Sequence, residues 1–247
     1  MNKTLLSIGH GYSAQALARR LLPQGWRIIG TTRSADKARE IAASGVEPLI
    51  WPEVDLEPLL GQIPNVLISI GPGAYGDPLL NAYEATIARV AQGLRWVGYL
   101  STTGVYGNHD GGWVDENTAL TPTTKRGTAR MQAERRWQAI PALPLHIFRL
   151  AGIYGPGRGP FTKVKDGTAR RILKKDQVFS RIHVDDIAQA LALSLHRPTP
   201  GAIYNLCDDD PAPPQDVIAY AAALLGVPVP PEIAIEDADM SPMARSF

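Results

Sequence analysis

Leu5, Leu6 and Ile8 form a short apolar run that breaks at Gly9-His10-Gly11, after which Ala14, Leu17, Ala18, Leu21 and Leu22 recur at helical spacing. The change of period predicts a buried strand, a glycine turn and a helix. Pro23-Gln24-Gly25 stops that helix, and Trp26 to Thr31 reads as a second strand. The pattern then predicts a helix over Ser34 to Ala43, a strand over Glu47 to Trp51, and a strand over Asn65 to Ile70 that closes on Gly71-Pro72-Gly73. Leu80, Tyr83, Ile87, Val90, Ala91 and Leu94 mark a long amphipathic helix. Further strands are expected at Trp96 to Ser101, Leu145 to Leu150 and Ala202 to Leu206. Ala129, Ala133, Trp137 and Ile140 stripe one more helix, Val184 to Leu195 another, and Val217 to Leu225 the last, which Pro228, Pro230 and Pro231 break. Nothing beyond Pro231 reads as a closing helix, so a mobile tail or an abbreviated lobe is expected there.

Strands alternating with helices imply parallel pairing, right-handed crossovers and helices on both faces. The expected fold is therefore α/β, a Rossmann-like doubly wound parallel sheet with a small C-terminal substrate lobe. The whole of residues 1–247 is expected to form one such domain, the lobe coming mainly from 151–180 and 207–247. Ligands of such sheets bind at the carboxyl ends of the strands. That directs attention to the segments that follow Gly9, Thr31, Gly71 and Ser101.

Composition narrows the choice. The 247 residues are 45% hydrophobic and 20% charged, which supports a sizeable core. A formal net charge of +1 gives no bulk attraction to nucleic acid or membrane. The single cysteine, Cys207, excludes an internal disulfide, fits a reducing cytoplasm and reads as a buried inert thiol. No apolar run reaches transmembrane length, and the five histidines are scattered, so neither a membrane span nor a metal site is expected.

The first turn carries the chemistry. Gly9, Gly11 and Ala14 make GxGxxA between a strand and a helix. The first glycine permits a tight turn, the second lets a pyrophosphate approach, and the alanine lets helix and strand pack closely. The phosphates would meet free amides and the positive end of the helix dipole. Gly9, His10, Gly11, Tyr12, Ser13 and Ala14 are thus candidate dinucleotide contacts. At the end of the second strand, where an NAD-preferring site carries an acid, stand Thr32, Arg33 and Ser34. A guanidinium flanked by hydroxyls suits a 2′-phosphate, so NADP is expected over NAD, or Arg33 is solvated and Ser34 simply caps the next helix. Gly71 would let backbone pass close to the cofactor, or marks a plain turn.

Ser101-Thr102-Thr103-Gly104-Val105-Tyr106-Gly107, together with GxGxxA, Gly152-Ile153-Tyr154-Gly155-Pro156-Gly157 and Arg181-Ile182-His183-Val184-Asp185-Asp186-Ile187, resembles the extended short-chain dehydrogenase/reductases, the NAD(P)-dependent epimerase/dehydratases. The resemblance covers nearly the whole chain. It implies an NAD(P)-binding oxidoreductase whose chemistry rests on a Ser/Thr, a Tyr and a Lys four residues later. Thr102 matches the first position. Where the Tyr and the Lys belong, this chain has Arg126 and Arg130, while Gly127, Ala129 and Glu134 fit the pattern. Arginine stays protonated at any working pH and cannot cycle as a general acid/base. Arg130 could bind a ribose or phosphate as a fixed cation, and Arg126 could clamp a carboxylate or phosphate. Four apart on a helix, both share one face. Tyr106 and His183 read as structural.

The family also implies a homodimer, here through Leu80–Leu94 and Gly127–Ile140. Lys163, Lys165, Arg170, Arg171, Lys174 and Lys175 lie in the expected substrate lobe, as a solvated face or as a site for a phosphorylated or nucleotide-linked substrate. Two readings follow. One is an epimerase/dehydratase-like oxidoreductase acting on an anionic, nucleotide-sugar-like small molecule without the usual Tyr-xxx-Lys pair. The other is a non-catalytic NADP(H)-binding sensor or regulator.

Overall fold

The computed structural model describes residues 2–175 and 177–239. Its centre is a seven-stranded sheet built from β1 (Thr4–Ile8), β2 (Arg27–Thr32), β3 (Glu47–Ile50), β4 (Asn65–Ile68), β5 (Trp96–Thr102), β6 (Leu145–Leu150) and a late strand (Ile203–Leu206). Every pairing in it is parallel. The spatial order is late strand, β6, β5, β4, β1, β2, β3. The order reverses at β1, so the crevice at the carboxyl end of β1 is the switch point where such sheets bind ligands.

Helices cover both faces: α1 (Tyr12–Leu21), α2 (Ala35–Ala43), α3 (Glu57–Leu60), α4 (Pro78–Val90) and α5 (Lys125–Gln138). After β6 the chain continues through β7 (Gly152–Tyr154), α6 (Pro160–Lys165), β8 (Arg171–Leu173), β9 (Arg181–His183) and α7 (Val184–His196). The late strand of the main sheet, now β10, then leads to α8 (Pro214–Leu225) and β11 (Glu232–Ala234). Two cores form. Leu5, Ile28, Leu67, Trp96 and Phe148 point to one face and pack with Leu17 and Leu21 of α1 and Leu191 and Leu195 of α7. Leu6, Ile29, Val66, Val97 and Tyr99 point to the other and pack with Leu79, Leu80 and Ile87 of α4 and Trp137 of α5. Adjacent residues such as Leu5 and Leu6 serve opposite faces, which is why these strands read as apolar runs rather than alternations.

The periodicity located all the central strands. It missed the short elements outside the main sheet, where β7 pairs with β9 and β8 with β11. Three-residue strands hold too few side chains for a period to show. The stretch after Pro231, expected to be a tail or an abbreviated lobe, includes the strand Glu232–Ala234 beside Arg171–Leu173; residues 240–247 lie outside the described residues. The basic run is partly tied into this region. Arg171 donates to Gln215 O, Pro230 O and Glu232, and Arg170 donates to Asp239 O. Cys207 corrects an expectation: it is exposed, because it follows the edge strand β10 after the chain has left the sheet. Partial desolvation, with the Asp208, Asp209 and Glu116 carboxylates, holds its thiol above the ordinary value. Among the described residues no helix is long and apolar enough to cross a membrane, and no cluster of metal-ligating side chains occurs.

Candidate functional site

The site is the row of strand exits around β1. Gly9 sits at φ 77°, the left-handed region, and a side chain there would overlap Ile70 at the end of β4. Only glycine lets the chain turn there between β1 and α1. Its amide donates to the Thr31 hydroxyl at 2.8 Å, and the His10 amide to Thr31 O at 2.8 Å, so β2 braces the turn. Gly11 is the N-cap of α1 and offers no side-chain cap; no acid stands in the first turn. The amides of Tyr12, Ser13 and Ala14 therefore have no protein acceptor, as expected for the first turn of an uncapped helix. A Cβ on Gly11 would meet nothing closer than Gly9 O at 3.9 Å, so the space above the helix start is open. α2, α4, α5 and α7 differ, since Ser34, Asp77, Thr124 and His183 cap them.

His10 does not join this cradle through its ring. The imidazole is buried, Nδ1 lies 3.1 Å from Ser7 Oγ, and Nε2 has no partner. The ring packs on the α-carbon of Gly30, where a Cβ would stand 2.7 Å from His10 Cγ. Burial pushes its pKa down to about 4. His10 is thus a neutral wedge under the turn. Ser13 and Ala14 are largely buried, and Ala14 can offer only backbone.

At the exit of β2, Arg33 is exposed and makes no hydrogen bond or ion pair among the described residues. Thr32 Oγ1 accepts from the Ser34 amide at 3.3 Å, and Ser34 Oγ accepts from the Lys37 amide at 3.3 Å. Both hydroxyls shape the start of α2, the local role that competes with a ligand role. The guanidinium is the free group.

The two arginines of α5 part company. Arg126 is exposed. Arg130 is buried at 8% exposure and turned into the sheet. Its Nη1 donates to Leu100 O at 2.8 Å, to the Tyr99 hydroxyl at 3.1 Å and to Ile70 O at 3.4 Å, and its guanidinium lies over the Tyr99 ring. It clamps the carboxyl ends of β4 and β5. Gly71 lies against it, since a Cβ there would stand 3.0 Å from Arg130 Nη2. Burial raises the Tyr99 phenol well above its ordinary range, only partly opposed by Arg130.

Thr102, at the end of β5, accepts from the Gly104 amide at 3.2 Å and so caps a short turn over Thr103–Val105. The next tyrosine, Tyr106, donates to Asn205 Oδ1 and accepts from Arg149 Nη1, both at 2.7 Å. It is fixed in the interior, 2% exposed. Behind it lies an arrangement that the sequence reading missed. Arg149 on β6 pairs with Glu134 on α5, 2.9 Å apart and buried at 4% and 0% side-chain exposure; Ser101 also donates to Glu134. A lone arginine inside the apolar run Leu145–Leu150 was the available signal, since such a charge needs a buried partner. Burial works against the Arg149 charge, but the hydrogen bonds to Glu134 and Tyr106 and the attraction of Glu134 outweigh it and hold its pKa above the ordinary value. His183 keeps the local role expected of it, accepting from the Asp185 amide at 3.2 Å.

No family profile matches the chain. It is 28% identical over 243 residues to the protein YeeZ of Escherichia coli (strain K12), covering 92% of this chain and 86% of that one. A solved structure of a functionally unknown conserved protein from Silicibacter pomeroyi DSS is 62% identical, with a TM-score of 0.95 over 99% of this chain and 86% of the other. A Methylobacillus flagellatus structure, provisionally described as an NAD-dependent epimerase/dehydratase, is 26% identical with a TM-score of 0.70 over 98% of this chain and 86% of its own. The dTDP-glucose 4,6-dehydratase of Bacillus anthracis str. Ames, solved in complex with NAD, shares the fold at 18% identity, with a TM-score of 0.73 over 95% of this chain and 85% of that one.

Proposed function

We propose that the chain, which shares the fold of the NAD-dependent epimerase/dehydratases, is an atypical member of the extended short-chain dehydrogenase/reductases and binds NADP across the switch point at β1. The observation that carries this is the uncapped, glycine-led start of α1, with three amides free and open space over Gly11. The residues present fit the cofactor. Tyr12, Ser13 and Ala14 would offer amides to the pyrophosphate, and Arg33 a guanidinium to the 2′-phosphate. Gly71 would let backbone approach from the exit of β4. When bound, NADP supplies a hydride donor or acceptor. Around it, Thr102 would orient a substrate oxygen and Arg126 would hold an anionic group of a nucleotide-sugar-like substrate. A dinucleotide-binding relative, WbmG of Bordetella bronchiseptica, was solved with NAD and UDP, which supports that substrate class.

Calorimetry on wild type, Gly11→Val and Arg33→Ala tests the binding site. Gly11→Val should keep its melting temperature, because the space is open, yet bind NADP roughly a hundredfold more weakly, about 2.7 kcal/mol. Arg33→Ala should weaken NADP about tenfold and leave NAD unchanged, the expected loss of one charge-assisted contact. Wild-type protein that takes up neither dinucleotide would end the reading. Equal effects of Arg33→Ala on NADP and NAD would end the role given to Arg33.

A second reading, an NADP(H)-binding sensor, is favoured by one observation. Arg130, which stands where the family places its lysine, is engaged with the carbonyls of Ile70 and Leu100, and Tyr106 is locked between Arg149 and Asn205. The Tyr99 and Tyr106 hydroxyls are thus both engaged by protein groups. Incubation with C4-deuterated NADPH and a nucleotide-linked ketosugar separates the two. Deuterium in the product establishes an oxidoreductase; firm NADPH binding without transfer across a panel of such sugars supports the sensor.

A further inference from the structure

Tyr12, the first residue of α1, reaches out of the glycine turn to the loop after β7. Its hydroxyl donates to Pro156 O at 3.0 Å. Gly155 must be glycine for this approach: its φ is 153°, and a Cβ there would stand 2.6 Å from the Tyr12 hydroxyl oxygen and 2.8 Å from Val184 Cγ1. The loop folds back on itself, with Gly155 N donating to Arg158 O at 2.8 Å and Arg158 N to Gly155 O at 3.0 Å. That closure sets the Arg158 guanidinium 5.6 Å over the Tyr12 ring. Arg158 is exposed and has no carboxylate partner among the described residues. A cation is therefore held, with no carboxylate partner among the described residues, against the first residue of α1, a helix whose start is led by an uncapped glycine.

We propose that Arg158 is a second phosphate ligand of the bound dinucleotide, closing on its pyrophosphate from the side opposite the glycine turn, with Tyr12 and Gly155 as the clasp that positions it. This rests on the cofactor reading above and extends it to a loop whose contact with the glycine turn, Tyr12 to Pro156, spans 144 positions of the chain. A guanidinium matches two phosphate oxygens with paired donors, and stacking on an aromatic ring preorganises it. The division of labour with Arg33 is definite. Arg33 would read the 2′-phosphate, which only NADP carries; Arg158 would read the pyrophosphate, which NADP and NAD share.

The test uses the full chain and three probes: NADP, NAD and adenosine 2′-monophosphate, which has no pyrophosphate. Arg158→Met keeps most of the stem and removes the charge. It is expected to weaken NADP and NAD about tenfold each, to leave adenosine 2′-monophosphate unchanged, and to regain part of the affinity as Arg158→Lys. The salt dependence of dinucleotide binding should flatten in Arg158→Met. Wild-type protein that binds both dinucleotides while Arg158→Met binds them equally well overturns this inference alone. So does an equal loss for adenosine 2′-monophosphate, which would mean a general charge effect. Wild type silent toward both dinucleotides overturns the cofactor reading and this inference with it.

Discussion

Glu134→Ala is expected to lower the unfolding free energy by about 3–5 kcal/mol, the largest effect of any single substitution considered. Glu134 is fully buried and accepts from Ser101 and from Arg149 at 2.9 Å. Its removal leaves the Arg149 charge in the interior with only the Tyr106 hydroxyl and Glu116 O to solvate it. The cost is mainly that of an uncompensated buried charge, so removing both charges should hurt less. The double variant Glu134→Leu/Arg149→Met is expected to be more stable than Glu134→Ala. Urea unfolding of wild type and both variants checks this. A loss under 1 kcal/mol for Glu134→Ala, or a double variant worse than the single, would show that the pair does not act as described. The pair matters to the site because Ser101 precedes Thr102, and Arg149 holds Tyr106 and Glu116 on the loop that leads into α5.

Acidification from pH 6.5 to pH 4 is expected to remove up to about 3 kcal/mol of stability through His10 alone, at 1.36 kcal/mol per pKa unit. In the folded chain burial holds this imidazole neutral, with its pKa lowered from 6.5 to about 4. The unfolded chain takes up a proton near 6.5, which the folded chain refuses until about pH 4. The contribution is therefore complete above pH 6.5 and lost as the pH falls through that window. His10→Gln removes the titrating group, so its stability should fall less steeply over the same range, whatever its baseline. Parallel pH profiles for wild type and His10→Gln would refute the assignment. Glu47 and Asp115, whose pKa values are lowered by hydrogen bonds to Arg27 and to Thr118, add their own loss at lower pH in both proteins, which is why the comparison of slopes is needed.

Much of this was legible along the chain. Apolar runs bounded by glycine and proline identified all the central strands, and GxGxxA placed the turn between β1 and α1, because a strand buried on both faces and a helix opened by glycines leave local marks. What the sequence left open was the fate of side chains whose partners are remote. Arg126 and Arg130 look alike four residues apart, yet one is exposed and the other is drawn onto the carbonyls of Ile70 and Leu100, because only the packing of α5 against β4 and β5 puts acceptors beneath it. His10 lies inside the motif, but Gly30 on the next strand makes room for its ring below the turn. Glu134 and Arg149, and Tyr12 and Arg158, meet only when the chain closes. Backbone periodicity is set by neighbours within a few residues, and the sequence fixes it directly. The partner of a charge is set by which strands lie side by side, and that was decided by the tertiary fold.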